Sequence, residues 1–262
     1  MFTSSGGHVL DRREFKYLVP DSKAREMAQS LRSVCSLDEF AGADKSYTIR
    51  SLYLDSDQLD LYWANEREQD ERFKARIRSY PPSFGKAFVE IKARYGDSIR
   101  KTRCPLPIES WAEIVQNPTS HHLEQVGLAK KAVLERFLYF VQAKALQPNM
   151  LVEYDREAYF SLVDDYARVT FDRGVRSQEQ TRWSLEAAPK QWRVVDHPVQ
   201  THSSQPMCVV ELKFGAMVPR WMSALVQNFE LIRYSFSKYC YSIDAHKILP
   251  RSHVAGVQAR GW

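Results

Sequence analysis

Lys74-Ala75-Arg76-Ile77-Arg78 sets cations at alternate positions with apolar residues between them. Side chains two apart along a strand share a face. Read as a strand, this stretch has one basic face and one apolar face. The same alternation returns at Val89-Glu90-Ile91-Lys92, at Lys101-Thr102-Arg103 and at Val210-Glu211-Leu212-Lys213-Phe214. One such strand sits easily on a solvated sheet. Several, with one sign dominating, suggest a groove or channel lined for a polyanion.

Around these segments the chain reads as strands with helices at intervals. Arg12 to Val19 is a first strand closed by Pro20, and Asp21 can cap a helix through about Val34, with Ala24, Met27, Ala28 and Leu31 on one side. Strands are expected at 47–55, 71–80, 86–95 and 98–105, the last two joined at Gly96-Asp97. Residues 108–147 read as helical, with Val133, Leu134, Phe137, Leu138 and Val141 as an apolar stripe. An antiparallel pair at 150–163 and 167–173 turns near Asp164-Asp165. A polar excursion at 175–206, a last strand at 207–214 and helices at 221–229 and 237–248 follow. About eight strands without regular βαβ alternation favour an α+β fold on a largely antiparallel sheet that could close into a barrel. Apolar faces would then pack outward on the helices. Charged faces would point inward, which requires a wet or ligand-filled interior.

The 262 residues suffice for one large or two small domains, and 44% hydrophobic with 26% charged residues is globular composition. The net charge of +5 matters only where it is concentrated. Cys35, Cys104, Cys208 and Cys240 form no C-x-x-C pair, so reduced, buried thiols are expected rather than a zinc or redox site. Met1 to Gly7 is polar, and no run approaches the ~20 apolar residues of a membrane span. The expectation is a cytoplasmic protein with a flexible lead at 1–10, a single domain at 11–249 and a tail at 250–262.

The basic candidates are Lys16, Arg50, Lys74, Arg76, Arg78, Lys92, Lys101, Arg103, Arg156, Arg168, Lys213 and Lys238. Arg matches phosphate with a planar fork and Lys with a compact charge. Facing one cavity they would repel one another without an anion; solvated sheet faces or ordinary ion pairs are the plainer alternative. Glu14, Glu90 and Glu211 each precede a lysine by two residues and share its face. They, with Asp172, either balance charge or help hold Mg²⁺ or Mn²⁺ beside substrate phosphates. No Walker, Rossmann or G-x-S-x-G motif occurs, and His121-His122 reads as surface.

The chain resembles the VTC domain, the vacuolar transporter chaperone-type polyphosphate polymerase, in a bacterial stand-alone form within the triphosphate tunnel metalloenzymes. The resemblance rests on Arg13-Glu-Phe-Lys-Tyr17, Ser51-Leu-Tyr-Leu-Asp55, Lys74-Ala-Arg-Ile-Arg78, Val89-Glu-Ile-Lys92 and Lys101-Thr-Arg103. It continues through Glu153-Tyr-Asp-Arg-Glu-Ala158, Val169-Thr-Phe-Asp172, Val210-Glu-Leu-Lys213 and Ser237-Lys-Tyr239, in family order from about residue 8 to 247. It implies an eight-stranded antiparallel β-barrel, a tunnel with flanking helices. By resemblance Lys16, Arg76, Arg78, Lys92, Lys101, Arg156, Arg168, Lys213 and Lys238 hold phosphate, and Glu211 holds Mn²⁺ or Mg²⁺, with Glu14 as a second candidate ligand. Lys16, Arg76, Arg78 and Lys238 are expected at the transfer itself. Arg50, Lys74 and Arg103 join the substrate-binding set. Where the wider superfamily often opens E-x-E-x-K, this chain has Arg12-Arg-Glu-Phe-Lys16, which sets it apart from the adenylate-cyclase and thiamine-triphosphatase branches.

The implied reaction moves the γ-phosphoryl group of ATP onto inorganic polyphosphate or pyrophosphate, and a separate membrane partner could take the product. A tunnel-type hydrolase of tripolyphosphate or nucleoside triphosphates is the alternative, as is a non-catalytic polyphosphate-binding module. Nucleic acid is not an expected ligand, since it would need an open groove with stacking aromatics.

Overall fold

Proline and carboxylate side chains set several of the element boundaries. The structure, a computed structural model, describes residues 13–246 apart from 83, 84, 97, 165 and 202. The expected lead and tail, Arg12, and the second residues of the two acidic turns lie outside the described residues. β1 (Arg13–Pro20) stops at Pro20, which has no N–H to continue a ladder and starts α1 (Asp21–Ser30). Asp21 does not cap this helix. Its carboxylate is held at 2.7 Å by Arg25 and at 2.6 Å by Arg173. After β2 (Cys35–Leu37) and β3 (Tyr47–Asp55), α2 (Asp60–Glu66) is capped from a distance: Asp55 accepts from the amides of Leu61 and Tyr62 at 2.8 and 3.0 Å.

β4 (Glu71–Ser79) ends before Tyr80-Pro81-Pro82. β5 (Lys86–Tyr95) and β6 (Ser98–Pro107) form the expected hairpin, with Gly96 at φ +55°, a conformation that favours glycine. The stretch expected to be helical divides into α3 (Trp111–Gln116), α4 (Ser120–Gln125) and α5 (Leu128–Ala143). β7 (Gln147–Ser161) then begins earlier than the alternation suggested. β8 (Ala167–Glu179) runs into the expected excursion because Val175 and Ser177 are buried within it, and β9 (Arg193–Val194) folds back to pair with it. The short α6 (Pro198–Thr201), β10 (Met207–Phe214), α7 (Arg220–Asn228) and α8 (Lys238–His246) follow.

All pairings are antiparallel, in the order β1-β10-β8-β7-β3-β4-β5-β6, with β2 beside β7 and β9 beside β8. No ladder joins β6 to β1 among the described residues, so the eight-strand path is not sealed by backbone bonds. It is nevertheless strongly curled. Lys92 of β5 reaches Glu14 of β1 at 3.0 Å although five strands lie between them in the sheet.

The core is mainly outside the curl, as the alternation implied. The outward residues of β3 to β6, such as Leu52, Ile77, Val89 and Cys104, pack on α3 and α5. Those of β1, β8 and β10, such as Tyr17, Val169 and Leu212, pack on α1 and α7. A third cluster lies inside the curl, where Phe236, just before α8, and Tyr239 and Ile243 of α8 pack against Ile49, Tyr53, Val152 and Val209. This plug sits toward the end where β3 finishes and β4 begins.

Candidate functional site

The inward positions of β4, β5 and β6 meet at one carboxylate. Arg76 pairs with Glu90 at 2.8 Å, Lys101 at 3.3 Å, Arg103 at 3.2 Å and Arg78 at 3.9 Å. Register produces this convergence, since Arg76 and Arg103 are the direct cross-strand partners of Glu90 on either side. Glu90 is 1% exposed and Arg78 only 6%. Four cations thus share one buried carboxylate. The buried Nε atoms of Arg78 and Arg103 face Glu90 at 3.9 and 3.2 Å but lack the geometry of a hydrogen bond, as does Glu90 Oε1. Buried donors are normally satisfied, so this surplus of charge and N–H groups is suited to an anion. Tyr53 accepts from Arg76 at 2.9 Å and Tyr80 from Arg103 at 3.0 Å, which orients both guanidinium groups.

A second cluster gathers β1, β7, β8, β10 and α8. Glu211 has Lys213 at 2.8 Å, Arg156 at 3.5 Å, and Lys16 and Lys238 each at 3.6 Å. Asp172, fully buried, takes both forks of Arg156 at 2.6 and 2.7 Å and Lys238 at 2.6 Å. Lys238 is the first residue of α8, so the plug helix contributes its own cation. Lys16 also donates to the Phe236 carbonyl at 3.1 Å, and Lys74 to Ser237 Oγ at 2.7 Å.

Burial and Glu211 push the Glu14 carboxyl up, but Lys92, Lys213 and Lys16 outweigh them and bring it to about 2. Burial acts likewise on Glu211, which Lys213, Lys238, Lys16 and Arg156 hold well below the ordinary range. Both are therefore ionised, as a metal ligand must be.

Every basic residue expected at the site lies on this inner face except Arg50. Arg168 is at the rim, bonded to Tyr47 at 3.3 Å and 3.8 Å from Asp38. Arg50 points outward, held by Glu153 at 2.5 Å and by the Leu185 carbonyl at 3.0 Å. Its phase was legible: it is in step with Leu52 and Leu54, which face the outer core. The sequence reading also missed Tyr53 and Tyr80, and left Asp172 open between charge balance and metal binding. Nothing in the alternation of β8 told a buried Asp from a charge-balancing one.

Among the described residues no three His, Cys, Asp or Glu side chains converge as a metal site. Glu14 and Glu211 share Lys16 and Lys213 as neighbours, which places two hard oxygen donors close together. Mg²⁺ is commonly held by one or two carboxylates plus substrate phosphates. The donor set suits such an ion where a ligand's phosphate oxygens complete its sphere.

No helix among the described residues is long and apolar enough to cross a membrane. Similar folds include a candidate adenylate cyclase of Bacillus halodurans, 12% identical over 87% of this chain and 94% of that one, with a TM-score of 0.49. Another is HpAC1, a candidate adenylyl cyclase of Hippeastrum with a dominant triphosphatase activity. It is 14% identical over 92% of this chain and 98% of that one, also with a TM-score of 0.49. No curated protein matches the chain. The VTC domain family matches residues 11–247, the span that contains both charge clusters and the strands that build them, and the chain belongs to that family.

Proposed function

We propose that this protein is a metal-dependent polyphosphate polymerase that transfers the γ-phosphoryl group of ATP to the end of an inorganic polyphosphate chain. The observation that carries the reading is the cluster around Glu90, where four Arg and Lys side chains converge on one buried carboxylate. Such a set binds a chain of phosphates and offsets the charge that spreads over the phosphoryl oxygens during transfer.

In the proposed reaction the bond between the γ-phosphorus and the β–γ bridging oxygen breaks, and that oxygen leaves with ADP. A bond forms from the same phosphorus to a terminal oxygen of the acceptor. That oxygen is already ionised, so no side chain need remove a proton, and the lining described above contains no histidine. Arg76 and Arg78, stiffened by Glu90 and Tyr53, orient the triphosphate. Lys16 and Lys238 stand where the acceptor end would be neutralised. Glu211 and Glu14 would hold Mg²⁺ or Mn²⁺, which supplies charge neutralisation across the phosphate oxygens.

Incubation with ATP and Mn²⁺ or Mg²⁺, with products run on a polyphosphate-stained gel beside a free-phosphate assay, tests this. A polymer ladder with little free phosphate is expected. Free phosphate without polymer would replace the reading with a hydrolase, and neither product would overturn it in favour of binding alone.

A further inference from the structure

Arg50, turned away from the basic curl, lines a cleft of about 370 Å³ together with Tyr80, Trp111, Trp183, Ser184 and Glu186. That is the size of a small-molecule site. We infer that this cleft is a nucleoside subsite, which takes a purine base bearing an exocyclic amine while the triphosphate of the same molecule lies in the curl. The inference rests on the phosphate-binding reading above and adds the part of the substrate that the charge clusters cannot select.

Tyr80 belongs to both places: it lines the cleft, and its hydroxyl accepts from Arg103 of the Glu90 cluster at 3.0 Å. Its ring packs on Phe88 and Tyr47, with centroids 5.9 and 6.2 Å away, where β3 starts and β4 finishes, and both tyrosines border the inner cluster on the side away from the Asp55–Tyr239 contact of α8. Because α8 occupies the other end, a triphosphate bound by Arg78 and Arg103 has its organic end directed here.

Two indoles line the cleft. Trp111 is buried on the helix side, and Trp183 is half-buried on the segment after β8. Stacking of a base on an aromatic ring is tolerant of base identity and favourable for any π-face. Polar groups then select. Arg50 is immobilised by Glu153 and the Leu185 carbonyl. Ser184 Oγ accepts from the Glu186 amide at 3.0 Å, which leaves its own proton for a ring nitrogen. The exposed Glu186 carboxylate is an acceptor for the amine.

Calorimetric titration of the full chain with adenosine, tripolyphosphate and ATP, with Mg²⁺ present, tests this. Trp183→Ala is expected to abolish adenosine binding and weaken ATP roughly ten-fold while leaving tripolyphosphate unchanged. Trp183→Phe should restore ATP affinity. Ser184→Phe, which fills the cleft from an already half-exposed position, should act as Trp183→Ala does. Arg78→Ala should weaken ATP and tripolyphosphate together and spare adenosine. Equal losses for ATP and tripolyphosphate in Trp183→Ala, or no loss for either, would overturn the inference. Adenosine binding that depends on Trp183, with no tripolyphosphate binding at all, would uphold the cleft and sink the phosphate reading.

Discussion

Burial would raise the Glu90 carboxyl, yet Arg76, Arg78 and Lys101 hold it well below the ordinary carboxylate range. The same crowding acts in reverse on Lys101. Burial lowers its ammonium to about 7, Glu90 resists, and Arg76, Arg78 and Arg103 add to the fall. Lys101 is therefore charged below about pH 7 and neutral above it. Its share of tripolyphosphate affinity should be present on the acid side and fade as pH rises, and Lys101→Arg, which stays charged, should flatten that dependence. A wild-type profile no steeper than that of the variant would count against the assignment. The Nε atoms of Arg78 and Arg103 lie 3.9 and 3.2 Å from Glu90 without making a hydrogen bond. Arg78→Ala should raise KM and lower kcat together in the gel-and-phosphate assay, since its charge faces both bound and reacting phosphate. Glu211→Gln should lower metal-dependent turnover by roughly 100-fold or more while tripolyphosphate still binds, a split that turnover and calorimetry together resolve.

At the scale of elements, Asp55 ties strand to helix to plug. It closes β3, accepts from the first amides of α2, and takes the Tyr239 hydroxyl of α8 at 2.6 Å. The acid that ends Ser51-Leu-Tyr-Leu-Asp55 is thus a structural knot rather than a substrate ligand. Asp55→Ala would leave those buried donors unmet and should cost about 2–4 kcal/mol by urea unfolding. Tyr239→Phe should cost less, about 1 kcal/mol, because Asp55 keeps its backbone partners. Equal costs would show that α8 is held by its apolar packing alone. Lys238 lies one residue before Tyr239, so the bond that seats the plug also sets the cation beside Asp172 and Glu211.

Over the whole molecule the inner face is a standing excess of positive charge beside carboxylates shifted downward. Glu14 falls from 4.5 to about 2, and Glu211 and Asp172 shift the same way. A carboxylate with a lowered folded value stabilises the protein above its unfolded value and loses that contribution as pH falls through the folded one. Stability should therefore drop between about pH 4.5 and about pH 2. Asp55 and Asp196, raised by burial, oppose the trend. Thermal melts across that range, with and without tripolyphosphate, follow both effects. A ligand that satisfies the cations binds only the folded state, so tripolyphosphate at about 100 times its Kd should add about 2.7 kcal/mol, several degrees in Tm. High salt should erode that gain. An unchanged melting temperature would deny the curl its anion.

The alternation in Lys74-Ala-Arg-Ile-Arg78 and its counterparts settled the strands, their two faces and the outward core, because period two is a local property of the backbone. It also placed the inward cations, and it could have excluded Arg50, which keeps step with Leu52 and Leu54. Tertiary structure alone decided that four of those cations meet at Glu90 rather than spread along the sheet. That depends on the register of β4, β5 and β6. It likewise decided that Asp172 is buried under Arg156 and Lys238, which come from β7 and from a helix 66 residues further along the chain. The inner seam, where Lys92 crosses to Glu14, exists only once the sheet has curled. Charges remote in sequence share a site through strand pairing and curvature, and neither is written in any one segment.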